Sequence, residues 1–92
     1  MTFKPECVET FLGVFTSYKS QIRNAEGCTH LELWQDHSDK NVFFTHSHWL
    51  AEGFLENYRH SELFKEVWPQ TKLLFLEKAE AWTVTRLVGP VD

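Results

Sequence analysis

Much of what announces the commoner protein classes is missing from this chain. It has only two cysteines, Cys7 and Cys28, far apart and outside any C-x-x-C pair, so they make neither a disulfide scaffold nor a thiolate metal cluster. They read as reduced residues packed as small apolar groups, which points to a cytoplasmic protein. No apolar run approaches the ~20 residues of a membrane span. The longest, Leu73-Leu74-Phe75-Leu76, is closed by Glu77 and Lys78, and Lys4, Glu6 and Glu9 interrupt any candidate signal peptide. Positive charge is sparse: nine Lys and Arg, scattered, against thirteen Asp and Glu give a net charge of −4. A nucleic-acid partner is therefore not expected. The chain also lacks a Gly-rich phosphate loop, a nucleophile motif, repeats and low-complexity linkers.

Aromatic residues are abundant instead. Eight Phe, four Trp and two Tyr stand among 92 residues that are 42% hydrophobic, too much apolar surface for a disordered chain. The length is that of one domain spanning residues 1–92, and a chain so short buries only roughly two thirds of the surface its unfolded form exposes. The surplus suits an internal pocket or a buried interface. The segment Asn41 to Trp49 sharpens this. Read as a strand, it sends Val42, Phe44, His46 and His48 to one face and Phe43, Thr45, Ser47 and Trp49 to the other. Both faces carry aromatics, so the side away from the helices needs a cover, and a second copy of the chain would supply it.

The remaining elements follow from spacing. Met1 to Lys4 is strand-compatible, and Pro5 suits a helix start. Val8, Phe11, Leu12, Phe15, Tyr18 and Ile22 then keep helical period to about Asn24, where Gly27 closes the turn. Thr29 to Gln35 reads as a strand, Asp36 to Lys40 as a polar turn, and the strand to Trp49 returns antiparallel. A short helix is predicted over Ala51 to Tyr58 and a second from Ser61, with Ser61 as N-cap, Pro69 interrupting or kinking it and a further helical turn over Gln70 to Leu76. Ala79 to Leu87 alternates as a last strand. The order is that of an α+β, ferredoxin-like βαββαβ protomer with an antiparallel sheet.

Glu26-Gly27-Cys28 after the first helix, a hairpin whose second strand ends in Trp49, and then Leu55, Tyr58, Ser61 and Phe64 at helix–turn–helix spacing form a recognisable sequence of features. Over about residues 6 to 87 the chain resembles the antibiotic biosynthesis monooxygenase family of the dimeric α+β barrel superfamily. The resemblance implies a homodimer with a barrel between two sheets. Known members oxidise small polycyclic aromatic or quinol-like substrates without metal or flavin, degrade haem, or act on small signalling molecules. Haem chemistry is disfavoured here: the histidine that ligates iron in the haem-degrading relatives corresponds to Trp68, whose indole nitrogen is only a donor.

Cofactor-free oxygenation needs a dry aromatic pocket, a proton acceptor and donors for a substrate anion. Trp49, Tyr58, Phe64 and Trp68, with Phe43 and Ser47, are the candidate pocket, and the aromatics also read as ordinary core, Phe43 and Phe64 above all. His46, His48 and Tyr58 are the candidate catalytic groups. His46 and His48 also have the spacing of a two-histidine metal site, which His30 and Glu32 would complete in one of two hairpin registers, and they read as well as hydrogen-bonded or interface histidines. If Trp49 faces the helices, both histidines face the partner subunit. Glu32 beside Trp34 can orient a histidine or a substrate hydroxyl. His37 and His60 read as exposed. The expected activity is a monooxygenase using dioxygen and no cofactor on a small aromatic metabolite. The competing expectations are a non-catalytic dimeric module for small-molecule binding or stress, and a metal-dependent enzyme built on His46 and His48.

Overall fold

Three phenylalanines from three different elements meet at the centre of the molecule. In the computed structural model, which describes residues 1–91, the Phe3 ring stacks on Phe11 at 4.0 Å between centroids, and Phe43 meets both edge-on at 5.9 and 5.2 Å. Stacked and edge-on pairs are the geometries the ring quadrupoles favour. Val8, Leu12, Phe15, Leu33, Leu74 and Phe75 pack around this trio.

The elements are β1 (Thr2–Phe3), a single 3-10 turn at Pro5–Cys7, α1 (Val8–Arg23), β2 (Cys28–Gln35), β3 (Phe43–Trp49), α2 (Glu52–Arg59), α3 (Glu62–Lys72) and β4 (Phe75–Glu77). β2 pairs antiparallel with β3, and β1 antiparallel with β4. The two ladders are joined by the antiparallel bridge from Thr2 to Val42, reinforced by hydrogen bonds from Phe3 N to Asn41 O and from Phe43 N to Met1 O. The spatial order β2-β3-β1-β4 is that of a ferredoxin-like α+β sheet, with the second crossover helix divided into α2 and α3. Helices lie on one side only, giving a slab 37 × 36 × 21 Å.

Local chemistry explains the boundaries. Gly27, at φ 81°, makes the turn from α1 into β2 that a residue with a Cβ would strain. Asp36 organises the hairpin turn by accepting the backbone N–H groups of Ser38 and Asp39. Ser61 caps α3 by accepting the Phe64 N–H at 3.1 Å. Tyr18 ties α1 to α3, donating to Glu66 Oε1 and accepting from Gln70 Nε2.

Two expectations are corrected. Pro69 does not interrupt α3, which continues through it to Lys72, with Leu73 N bonded to Pro69 O. Proline frees only the carbonyl four residues back, and both Lys65 and Pro69 are exposed, so water serves it. The last strand is not Ala79–Leu87 but Phe75–Glu77, which overlaps the end of the segment expected as a helical turn. The alternating stretch beyond it has no ladder partner and bears exposed Trp82, Val84 and Leu87. Among the described residues no helix is long and apolar enough to cross a membrane.

Candidate functional site

The hairpin register decides which side chains can meet. Leu31 lies opposite Ser47, Leu33 opposite Thr45 and Gln35 opposite Phe43, while His30, Glu32 and Trp34 lie opposite His48, His46 and Phe44. Phe43 is 2% exposed and in the core, so its set faces the helices and the histidine set faces away. A shift between Cys28 and His30 keeps Cys28 buried on the helix side opposite Trp49.

On the helix side an aromatic series runs from β3 across both short helices. Trp49 stacks on Tyr58 at 5.4 Å, Tyr58 meets Phe64 edge-on at 5.4 Å, Phe64 stacks on Trp68 at 5.6 Å, and Trp68 meets Phe75 at 5.6 Å. Helical spacing aligns Tyr58 with the inner face of α2, and Phe64 and Trp68, four residues apart, with that of α3. Thr45 and Ser47 stay exposed although they point to the helix side, so the helices do not close over the middle of β3. Trp49 Nε1 donates to Ser47 Oγ at 3.0 Å. The Ser47 hydroxyl therefore has its own proton left to give.

Burial pushes the Tyr58 phenol up to about 12, with a smaller contribution from the Cys28 thiol. At neutral pH it is a donor, not a base. A cavity of about 280 Å³ opens against it, lined by Ala25, Glu26, Phe54, Asn57, Tyr58, Ser61 and Leu63. Glu26, exposed to solvent, contributes a carboxylate to the same cavity wall. The sequence reading missed Glu26 and Asn57 as site residues, although Glu26-Gly27-Cys28 was already conspicuous as the turn after α1. A second cleft of about 300 Å³ lies between α1 and β2, lined by Phe15, Lys19, Ser20, Arg23, Asn24 and Leu31.

The structure thus brings together Ser47, Trp49, Tyr58, Phe64 and Trp68. It commits Phe43 to the core instead of a pocket wall. It also places His46, His48 and Glu32 on the opposite face, where the Nε2 atoms of His46 and His48 lie 2.9 Å apart. There Glu32 accepts from Trp34 Nε1 at 3.0 Å and lies 3.3 Å from His30 Nε2. Among the described residues no three His, Cys, Asp or Glu side chains gather as a metal-holding group.

The family model described as antibiotic biosynthesis monooxygenase matches residues 1–69. No curated protein matches the chain. Among solved structures, a conserved protein from Methanosarcina mazei Go1 is similar at a TM-score of 0.81 and 25% identity, over 86% of this chain and 78% of its own. A structure named antibiotic biosynthesis monooxygenase gives 0.77 at 18% identity, over 89% of this chain and 92% of its own. A Pseudomonas aeruginosa protein gives 0.72 at 22%, over 84% of this chain and 78% of its own. At these last two identities the likeness speaks for the fold.

Proposed function

We propose, from the premise that this chain belongs to the antibiotic biosynthesis monooxygenase family, that it oxidises a small aromatic or quinol-like metabolite with dioxygen, using no cofactor, as a cytoplasmic homodimer. The observation that carries this reading is the protonated Tyr58 phenol stacked on Trp49, beside a cavity with the Glu26 carboxylate in its wall. Tyr58 and Trp49 offer a flat apolar surface to a planar ring. Glu26 takes the proton from an acidic C–H or O–H of the substrate. The Tyr58 and Ser47 hydroxyls donate to the oxyanion that forms, stabilising the charge as it develops. The electron-rich anion passes one electron to dioxygen, and the radical pair combines to a peroxide. For a methylene substrate, loss of water from that peroxide leaves a carbonyl: one oxygen atom enters the product, and the other leaves as water with the two hydrogens removed. His46 and His48, on the other face, take no part in this scheme.

Pairing of two sheets across their helix-free faces completes the proposal. It is supported by the exposure of Trp34 (48%) and Phe44 (44%) on that face and by the unpartnered apolar side chains of the C-terminal stretch. A non-catalytic small-molecule-binding dimer is the second reading, favoured by the absence of any histidine from the helix-side face of the hairpin. Oxygen-electrode traces with a panel of hydroquinones and anthrones separate the two. Uptake above the buffer blank, falling in Tyr58→Phe, supports the enzyme. No uptake across the panel, with saturable binding of the same compounds, supports the binding module.

A further inference from the structure

Three of the five histidines sit together on the helix-free face of the hairpin. The ring centroids of His30 and His46 each lie 4.8 Å from that of His48, and His30 and His46 are 6.1 Å apart. Trp34 stacks on His46 at 4.7 Å and 14°, shielding it on one side. The 2.9 Å contact between His46 Nε2 and His48 Nε2 requires one ring to donate and the other to accept. Two imidazoliums are both donors, so the bond is lost when both rings are charged.

The charged and titratable groups facing this cluster are few. Glu32 comes from β2, along with His30 itself, and Arg86 comes from the C-terminal stretch. Among the described residues no helix packs on this side. Glu32 already serves the Trp34 indole and His30. Acid would therefore set three charged imidazoles and Arg86 against the Glu32 carboxylate. His48 is held below its ordinary 6.5, first by desolvation, then by the charges of His46, His30 and Arg86, with Glu32 opposing.

We propose that His30, His46 and His48 form a pH switch on self-association: their face seats a second copy of the chain while the rings are neutral and expels it when they are charged. This rests on the sheet pairing proposed above. A second copy is the occupant because the molecule is a slab 21 Å thick with one side of its sheet uncovered and only a small buried core, so the uncovered side is the place where more apolar surface can be buried. The face is also self-complementary. Neutral imidazoles carry both donor and acceptor nitrogens, and aromatic Trp34 and Phe44 flank them, as a two-fold contact of identical patches demands. Closing it desolvates the rings further, so protons taken up there are paid for by dissociation.

The test is light scattering on the untagged full chain across about pH 7.5 to 5, a range that spans the imidazole titration. The expected result is twice the 10.9 kDa chain mass at the upper end. Toward the lower end the dissociation constant should rise ~100-fold, because proton uptake by the rings is linked to separation of the two copies. The His30→Gln, His46→Gln, His48→Gln triple variant should stay paired throughout, whereas a His37→Gln, His60→Gln variant, altered only at exposed histidines, should dissociate like the parent. A parent that stays paired to the lower end overturns the switch and leaves the pairing standing. A triple variant that is folded by circular dichroism and still dissociates in the same window also overturns the switch. A single-chain mass at the upper end overturns both.

Discussion

At the scale of single residues, Tyr58 and Gly27 carry the sharpest consequences. The Tyr58 phenol is raised from its ordinary 10.0 to about 12 because the folded chain buries it. A raised value means that its contribution to stability is complete below the unfolded value and is lost as pH climbs through the folded one. Urea midpoints should accordingly fall between about pH 10 and 12, and in Tyr58→Phe that part of the decline should vanish. If the proposed oxygenation holds, oxygen uptake in the same variant should drop roughly 100- to 1,000-fold at neutral pH while the fold persists, as expected for the loss of one oxyanion donor. Gly27→Ala acts on packing. It asks a residue with a Cβ to hold φ 81° and sets that Cβ into the Phe54 ring. A thermal melt should report a loss of about 2 kcal/mol or more, the sum of left-handed strain and overpacking. Tyr58, Trp49 and Ser47 were legible as candidates because polar aromatics and a strand-ending Trp stand out in sequence, and the fold sets the three side by side. Glu26 was not, because an exposed carboxylate in a turn looks like any solvated charge until the fold sets it in one cavity wall with Phe54, Asn57 and Tyr58.

At the scale of elements, what was written in local chemistry could be read. The stripe of α1, the Ser61 cap and the polar hairpin turn all stand where their residues put them. Ser61→Ala should cost ~1 kcal/mol in chemical denaturation, since the Phe64 N–H loses its acceptor at the first turn of α3. An unchanged midpoint would mean that water replaces the cap without loss. Pro69 misled because a helix breaker is a local penalty, whereas the packing of Phe64 and Trp68 on the sheet side is a tertiary gain spread over the whole helix. Register was the other limit. Alternation says that His46 and His48 share a face but not which one, and burial of Phe43 decides it.

At the scale of the whole molecule, the misplaced last strand is the informative error. Residues 79 to 87 alternate as a strand does, yet a strand exists only where its backbone groups find a ladder, and β1 is already occupied by β4 on one side and bridged to the hairpin on the other. The period belongs to the residues, and the partner does not. Trp82, Val84, Leu87 and Val88 are 72 to 91% exposed, an apolar content too high for a stretch with no surface to meet. If the proposed pairing is correct, this stretch lies along the sheet of the second copy, and a chain ending at Lys78 should lose it. Such a truncation keeps Phe3, Phe11, Phe43 and β4, so its far-UV circular dichroism and its cooperative melt should persist. Its scattering mass, however, should fall to that of a single chain, with the dissociation constant raised at least ~100-fold by the loss of several buried apolar side chains. A truncated chain that stays paired at the parent's affinity would assign the contact to Trp34, Phe44 and the histidines alone. Paired substitution of Trp34 and Phe44 by Ser would then be the change that splits it.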